Sequence, residues 1–572
     1  PMKDRFLLLD ELWKVQRANG HLPTAELRRL AEEFDLSEIE IEGVASFYHF
    51  FHFKPAGRHT IYLNHSILSE FQGLKEVREA FERATLARLG SVDPSGEFGL
   101  FETSCVGLSD QEPAALIDFM PVTNLTPDKA RRIVQQLRAG LSPESIADEV
   151  EERIYYLGEN DEVVFFRPYE PGRILRKLLD LSPEEVIEQI RDAQLAGMGG
   201  AFFPTGTKWD SCRNQPGFPK YIVCNADEGE PGTFKDRVLM DQLPGLLFEG
   251  MAVAGYAVGA SSGILYLRAE YGWLLPKLEG TLTQFRERGW LGRDILGIQG
   301  FHFDIRVQVG AGAYVCGEET ALLESLEGKR GEPRTKQYFP TERGYMGLPT
   351  VVNNVETLCA AARVIELGSA FFGRLGTPSS CGHKLLSVAG DCSRPGVYEI
   401  EWGLRVSDLL EECGATNTRY VQLSGPSGTL ITAGEFDRQI CHEDLSCGGS
   451  VMIFDDRRDL LQILRNFAHF FRQESCGVCT PCRAGNLILT RKLRKLALGL
   501  GDPTDLQDLR SWGALMKASS RCGLGKNASN ALLDAIRKDL KYFRERQSNN
   551  GHALSRGFDL KQAVQIYEKF KS

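Results

Sequence analysis

The chain has no long uninterrupted hydrophobic run. Its most apolar window, residues 245–267, is broken by Glu249 and filled with Gly, Ala and Ser, which predicts a buried helix followed by a core strand and argues against a membrane span. No secretory signal is visible in the first ten residues, which carry charges inside a helical pattern and offer no small-residue cleavage site, so none is expected. Positive charge is not in excess, with 67 Lys and Arg against 77 Asp and Glu and a formal net charge of -10. That balance argues against a nucleic-acid surface. There is also no regular disulfide framework. Ten of the fourteen cysteines, Cys105, Cys212, Cys224, Cys316, Cys359, Cys381, Cys392, Cys413, Cys441 and Cys447, are scattered, which fits free thiols in a reducing cytoplasm better than a secreted scaffold. What remains is an ordinary soluble composition, 42% apolar and 25% charged over 572 residues, long enough for several domains.

The remaining four cysteines are the strongest signal. Cys476-Gly-Val-Cys479-Thr-Pro-Cys482 places three thiols at C-x2-C-x2-C spacing, and Cys522 in Ser520-Arg-Cys-Gly-Leu-Gly525 can close the set. Three ligands from one hook and a fourth from a distant segment is the ligation logic of a [4Fe-4S] cluster. Zinc is the rival, although a four-cysteine zinc site usually pairs two C-x2-C hooks.

Ahead of these motifs, residues 1–50 read as amphipathic helices over 6–15, 24–34 and 39–48. Strands over 60–64 and 99–103 and helices over 74–89 and 127–138 complete a small α+β domain. The acidic stretch from Glu144 to Asn160 reads as a linker. Beyond a helix over 183–196, the loop Gly197-Met-Gly199-Gly200 lets backbone N–H groups approach a phosphate, and Lys208 adds a positive charge; its spacing is not G-x-G-x-x-G. A buried strand at 221–224 runs into Asn225-Ala-Asp227-Glu228-Gly-Glu230. A second, over 303–309, runs into Gly310-Ala-Gly-Ala-Tyr314-Val-Cys-Gly317-Glu318-Glu319. Both place polar groups at the carboxyl end of a strand, where α/β sheets bind ligands.

These segments, with Gly328-Lys-Arg-Gly-Glu-Pro-Arg-Thr-Lys336-Gln-Tyr-Phe339 and Val352-Asn353-Asn354-Val-Glu-Thr357, closely resemble the flavoprotein subunit of respiratory NADH dehydrogenase and its soluble relatives over residues 165–545. The resemblance implies that Gly197, Gly199, Lys208, Asn225, Asp227, Tyr314, Gly317, Glu318, Asn353 and Asn354 surround FMN. By the same resemblance Phe203, Glu230, Glu319, Lys336 and Phe339 face NAD(H), with Phe339 stacking on adenine. Carboxylates near the nucleotide would oppose an added 2′-phosphate, so NAD is expected over NADP. Met198 stands where the family has Arg, and Phe202 where it has Gly, which predicts weaker flavin retention.

Ser46-Phe-Tyr-His49, Lys54-Pro-Ala-Gly-Arg58 and Phe101-Glu-Thr-Ser-Cys105-Val-Gly-Leu108 are similar to the thioredoxin-like small subunit of the same enzymes. That family holds a [2Fe-2S] cluster on two cysteine pairs. Here the four positions read Asn64, Ser69, Cys105 and Ser109, and one thiol cannot hold a two-iron cluster. The domain is therefore expected to be a docking module without metal.

The fusion of the two resembles the diaphorase flavin subunits of soluble NAD-reducing [NiFe] hydrogenases. It implies a multidomain α/β chain: a thioredoxin-like domain over 1–143, a linker over 144–164, a Rossmann-like FMN/NAD domain over 165–380, a β-grasp-like insert over 381–450, a helical iron-sulfur domain over 451–546 and a polar tail over 547–572. It also implies FMN, a [4Fe-4S] cluster at Cys476, Cys479, Cys482 and Cys522, NAD(H) as substrate, and a cytoplasmic hetero-oligomer with an iron-sulfur diaphorase subunit and [NiFe] hydrogenase subunits, with no nucleic-acid partner. The flavin subunit of an NAD-dependent formate dehydrogenase is the alternative, since nothing in this chain binds nickel or molybdenum. A non-catalytic cluster-bearing subunit is the third reading, supported only by Met198 and Phe202.

Overall fold

The computed structural model describes residues 3–158 and 162–547; the polar tail expected after Gln547 lies outside them. At the centre is a four-stranded all-parallel sheet in the order Thr350–Asn354, Tyr221–Ala226, Ser262–Leu267, Asp304–Val309. Its strands are apolar on both faces, as a sheet covered on both sides requires. Ile222, Cys224, Leu265, Leu267 and Val351 enter one core with the helices Pro244–Val258 and Val355–Leu367. The alternate residues Val223, Ile264, Tyr266 and Val352 enter a second core. That second core is built largely by the N-terminal helices, through Leu8, Leu12, Leu27, Leu30 and Ile41. The first fifty residues thus roof the central sheet. The window 245–267 is the expected buried helix and core strand, and no helix among the described residues is long and apolar enough to cross a membrane.

The N-terminal domain carries a five-stranded sheet centred on His59–Asn64 and Phe98–Thr103, backed by Leu74–Thr85 and Pro127–Arg138. The helix expected to run to residue 89 stops at Thr85, because Leu86 takes a left-handed φ of 65° and caps it. A second difference lies in the expected linker. Residues 143–146 form a turn of helix, and Ile154–Leu157 form a strand that pairs in parallel with Val397–Ile400. This strand becomes the edge of a six-stranded mixed sheet that otherwise comprises His383–Gly390, Gly396–Glu401, Thr418–Leu423, Thr429–Thr432 and Ser450–Asp455, with the helix Val406–Glu412 packed on it. The β-grasp-like pattern is present, and its last strand extends to Asp455. The C-terminal region is helical, with Leu460–Glu474, Thr480–Ala497, Pro503–Ser519 and Asn530–Lys538 as its main members.

Candidate active site and cluster cage

The carboxyl ends of the parallel strands gather most of the expected flavin residues. Asn354 and Asn225 are register partners at the tips of adjacent strands. Asn225 Nδ2 donates to the Gly317 carbonyl at 2.9 Å, tying the first loop to the second. Trp209 Nε1 donates to Asn353 Oδ1 at 2.9 Å. Lys208 Nζ donates to Glu319 Oε2 at 3.1 Å and to the Val352 carbonyl at 3.0 Å, and lies 5.8 Å from the centre of the Phe203 ring. Glu318 caps the helix Glu319–Leu326, accepting from the Thr320 and Ala321 N–H groups. A Cβ on Gly199 would stand 3.2 Å from Asn354 Cβ, and one on Gly317 3.4 Å from the Asp227 carbonyl oxygen. Gly197 meets the Phe203 backbone.

Two features leave this end of the sheet ready for a polar ligand. Asp227 is half-buried, desolvation pushes its carboxyl well above the usual range, and its buried Oδ2 has no partner among the described residues. The helix Thr205–Arg213 begins without a side-chain cap, and buried Thr205 Oγ1 is also unpartnered, so its first-turn N–H groups suit an anion. Tyr314 donates its hydroxyl to Glu230, which also accepts the Ser427 N–H at 2.9 Å. Burial raises the Glu230 carboxyl to about 7. The two remaining nucleotide candidates stay apart from this network. Lys336 is exposed and Phe339 is 69% exposed, at the start of the short helix Pro340–Arg343; that helix packs on Thr205–Arg213 through Ser211 and Thr341, whose hydroxyls are 3.2 Å apart.

Both departures from the family loop pack against neighbouring structure. Met198 is 3% exposed, with its N–H on Thr357 Oγ1. Phe202 holds the positive φ of 52° that Gly would adopt freely, and its ring packs against His442 of the β-grasp-like region, centroids 4.6 Å apart. Its bulk therefore rests on the neighbouring region.

Sequence reasoning missed a buried charge network behind the site. Lys235 pairs with Asp236 at 2.7 Å and Glu356 at 2.8 Å, and Lys384 also pairs with Glu356. Asp236 Oδ2 accepts Asn354 Nδ2 at 2.6 Å, so the network sets the orientation of a candidate flavin residue. Nothing in the sequence Lys235-Asp-Arg237, at the start of the helix Lys235–Gln242, marks it as buried.

The four cysteines line one cavity together with Val315, Pro333, Ser475, Arg521 and Leu524. Cys482 Sγ receives Asn486 Nδ2 at 3.3 Å and lies 3.2 Å from Ser475 Oγ. Backbone N–H groups of Leu524 and Gly525 face Cys522, and that of Val478 faces Cys476. Such donors suit thiolates and cluster sulfurs. Burial pushes the Cys482 thiol to about 11, a cost that metal coordination removes. Tetrahedral zinc with Zn–S near 2.3 Å would bring its sulfurs to about 3.8 Å from one another. No three of these Sγ atoms lie mutually within 4.8 Å, since the only such His/Cys/Asp/Glu group among the described residues is elsewhere. A spacing wider than zinc sets is the direction that a cubane requires. Ser520 Oγ, buried and unpartnered behind Gly525, adds a spare donor beside it.

The N-terminal positions do not fit a [2Fe-2S] cluster. Cys105 is the single thiol, 3.9 Å from Ser109 Oγ. Glu112, which sequence reasoning did not single out, fills the space beside the other pair: it accepts from Asn64 and, at 2.8 Å, from the Ala114 N–H, and Ser66 Oγ lies 3.4 Å away. Burial lifts its carboxyl to about 8. The same domain is anchored firmly to the site. Trp13 Nε1 donates to the Gly310 carbonyl at 3.0 Å, and the His49 and Phe50 N–H groups donate to Gly312 and Ala311.

A parallel sheet with a polar carboxyl end, beside a four-cysteine cage, defines a flavin- and cluster-bearing electron-transfer subunit. Three family models match in chain order: a thioredoxin-like [2Fe-2S] ferredoxin at residues 2–138, the Nuo51 FMN-binding domain at 190–363 and the NADH-ubiquinone oxidoreductase-F iron-sulfur binding region at 462–548. The alpha subunit of the NAD-reducing hydrogenase HoxS from Cupriavidus necator is 49% identical over 99% of this chain and 96% of the relative. A subunit of the NADH-quinone oxidoreductase of Rhizobium meliloti is 41% identical over 66% of this chain and 92% of its own length. A crystal structure of an NAD+-reducing [NiFe]-hydrogenase in the H2-reduced state superposes with a TM-score of 0.90 at 36% identity, covering 100% of this chain and 97% of that one. The chain belongs to the family of alpha subunits of NAD-reducing hydrogenases.

Proposed function

We propose that the chain is the diaphorase subunit of an NAD-reducing hydrogenase, exchanging hydride between NAD(H) and FMN and passing electrons through a [4Fe-4S] cluster at Cys476, Cys479, Cys482 and Cys522 to partner subunits. The overall reaction is the reversible conversion of H2 and NAD+ to NADH and H+. The partners are an iron-sulfur diaphorase subunit and the [NiFe] hydrogenase subunits, in a cytoplasmic assembly that suits a chain rich in free thiols.

One observation carries this reading: a single loop joins the two centres. Tyr314 meets Glu230 at the sheet end, its ring stacks edge-on against Phe470 at 4.9 Å, and the next residue, Val315, lines the cysteine cavity. FMN, when bound, supplies the exchange between two-electron and one-electron chemistry. The protein's part is to bind and orient. Gly199 and Gly200 and the uncapped start of Thr205–Arg213 offer N–H groups to a phosphate, with Lys208 beside them, while the Gly197 N–H holds the loop closed on the Phe203 carbonyl. Asn225, Asp227, Asn353 and Asn354 present hydrogen-bonding groups to a flavin. By this reading Phe203, Glu230 and Glu319 would face the nicotinamide nucleotide, and exposed Phe339 and Lys336 would engage it from outside.

The test is to co-purify the chain with its partner subunits and follow H2-dependent reduction of NAD+. The reading predicts hydrogen-driven NADH formation, with Cys479→Ser keeping NADH-driven flavin bleaching and losing hand-over to the partners. Formate-driven NADH formation by the co-purified assembly, with no response to H2, would replace the hydrogenase by a formate dehydrogenase.

A further inference from the structure

Away from the cysteine cage, three ligating side chains converge where the N-terminal domain meets the helix Leu460–Glu474. His65 follows the strand His59–Asn64, Glu102 lies on the strand Phe98–Thr103, and His469 comes from the helix. We propose that His65, Glu102 and His469 form a binding site for a divalent cation of zinc-like chemistry, clipping the two regions together.

The geometry is that of a site with its ligands in place. Glu102 Oε1 lies 3.2 Å from His65 Nδ1 and 3.4 Å from His469 Nε2, and one ligand atom from each of the three residues lies within 4.8 Å of the others. A tetrahedral centre with bonds of about 2.0–2.1 Å sets its donors about 3.3 Å apart. The second nitrogen of His65 is already engaged: Nε2 stands 3.2 Å from Glu70 Oε1. Glu70 is itself held by Gln462 Nε2 at 3.0 Å and Asn466 Nδ2 at 2.8 Å. A carboxylate behind the imidazole, fixing its tautomer and turning its free nitrogen inward, is the usual support of a metal-bound histidine. The two imidazoles meet nearly at right angles, 5.2 Å between centroids, so they do not stack across the space between them. All three ligands are half-buried and line a cleft of about 630 Å³ that also reaches Cys476. The cleft leaves room for a fourth ligand from water. Without a cation, the trio would be plain polar contacts of Glu102 with two imidazoles, and the experiment separates the two.

The holoprotein, prepared anaerobically with iron and flavin retained, is titrated with Zn2+ alone and, separately, with Co2+ alone. The proposal predicts uptake of one cation per chain beyond the iron, and a Co2+ spectrum of nitrogen and oxygen ligation with no sulfur-to-cobalt charge transfer. Glu102→Gln, close in size, and His469→Ala should each weaken binding by at least tenfold, and Glu70→Gln by about tenfold, with iron and flavin content unchanged. Absence of uptake, uptake unaffected by Glu102→Gln and His469→Ala, or thiolate charge transfer with Co2+ would overturn it.

Discussion

Arg237 is where the attachment of the N-terminal domain to the flavin domain is most open to test. It is fully buried on the helix Lys235–Gln242 and donates to the Gly107 carbonyl at 2.5 Å, to Asp110 at 3.2 Å and to Glu152 at 2.7 Å. Arg237→Met keeps most of the volume and leaves two buried carboxylates facing no cation. Removing one member of a buried ion pair costs about 3–5 kcal/mol, which would shift the docking equilibrium by a factor of about a hundred or more. Hydrogen exchange across residues 105–113, with denaturant unfolding of the holoprotein, reads that loss. The pH dependence carries a definite sign. Burial already holds the Glu152 carboxyl above its usual range, and losing the guanidinium raises it further. A folded-state pKa above the unfolded value contributes stability that is complete at acid pH and lost as pH rises through the folded pKa, so the variant's deficit should widen with rising pH. Adding Asp110→Asn and Glu152→Gln should recover most of the loss. Wild-type protection in Arg237→Met, or a deficit that narrows as pH rises, would refute this account of the interface.

Other changes follow from the same contacts. Glu112→Gln removes a carboxyl lifted by burial to about 8 from an ordinary 4.5; wild-type stability should fall between those pH values and the variant's should not, so denaturation midpoints at acid and alkaline pH give the comparison. Gly525→Ala would place a Cβ 2.6 Å from Ser520 Oγ and 2.9 Å from Cys482 Cβ, costing about 1–3 kcal/mol by overpacking and lowering iron content while flavin stays bound. Burial pushes the Glu230 carboxyl up to about 7, and the charge it gains above that pH opposes an anionic dinucleotide. The KM for NADH should therefore rise above that pH in the wild type and stay level in Glu230→Gln, as steady-state pH profiles would reveal.

Much of this architecture is legible because its signals are local. The helices Thr24–Phe34 and Pro127–Arg138 match their expected bounds, since amphipathic spacing and the proline starts define them without help from distant residues. The cysteine cage and the strand ends carrying Asn225 and Asn354 are legible for the same reason: spacing and strand-loop-helix order lie within short windows. What escapes is long-range. Ile154–Leu157 looks like acidic linker because its partner strand is more than two hundred residues away. The burial of Lys235 and Arg237 is invisible in the sequence because the distant carboxylates Glu356, Asp110 and Glu152 reach them only in the folded chain. Glu112 carries no motif; it becomes informative only beside Asn64 and Ser66. Met198 and Phe202 are visible in the sequence as departures from a family loop, but their neighbours, the core and His442, are not.

The most direct test of the central claim is anaerobic purification of the chain, quantification of FMN and iron, and titration with NADH while flavin absorbance is followed. The account predicts one FMN and about four irons per chain, with bleaching by NADH and little by NADPH. Four irons without flavin would contradict the hydride-transfer role, and about six irons would contradict the reading of the N-terminal domain as free of its cluster.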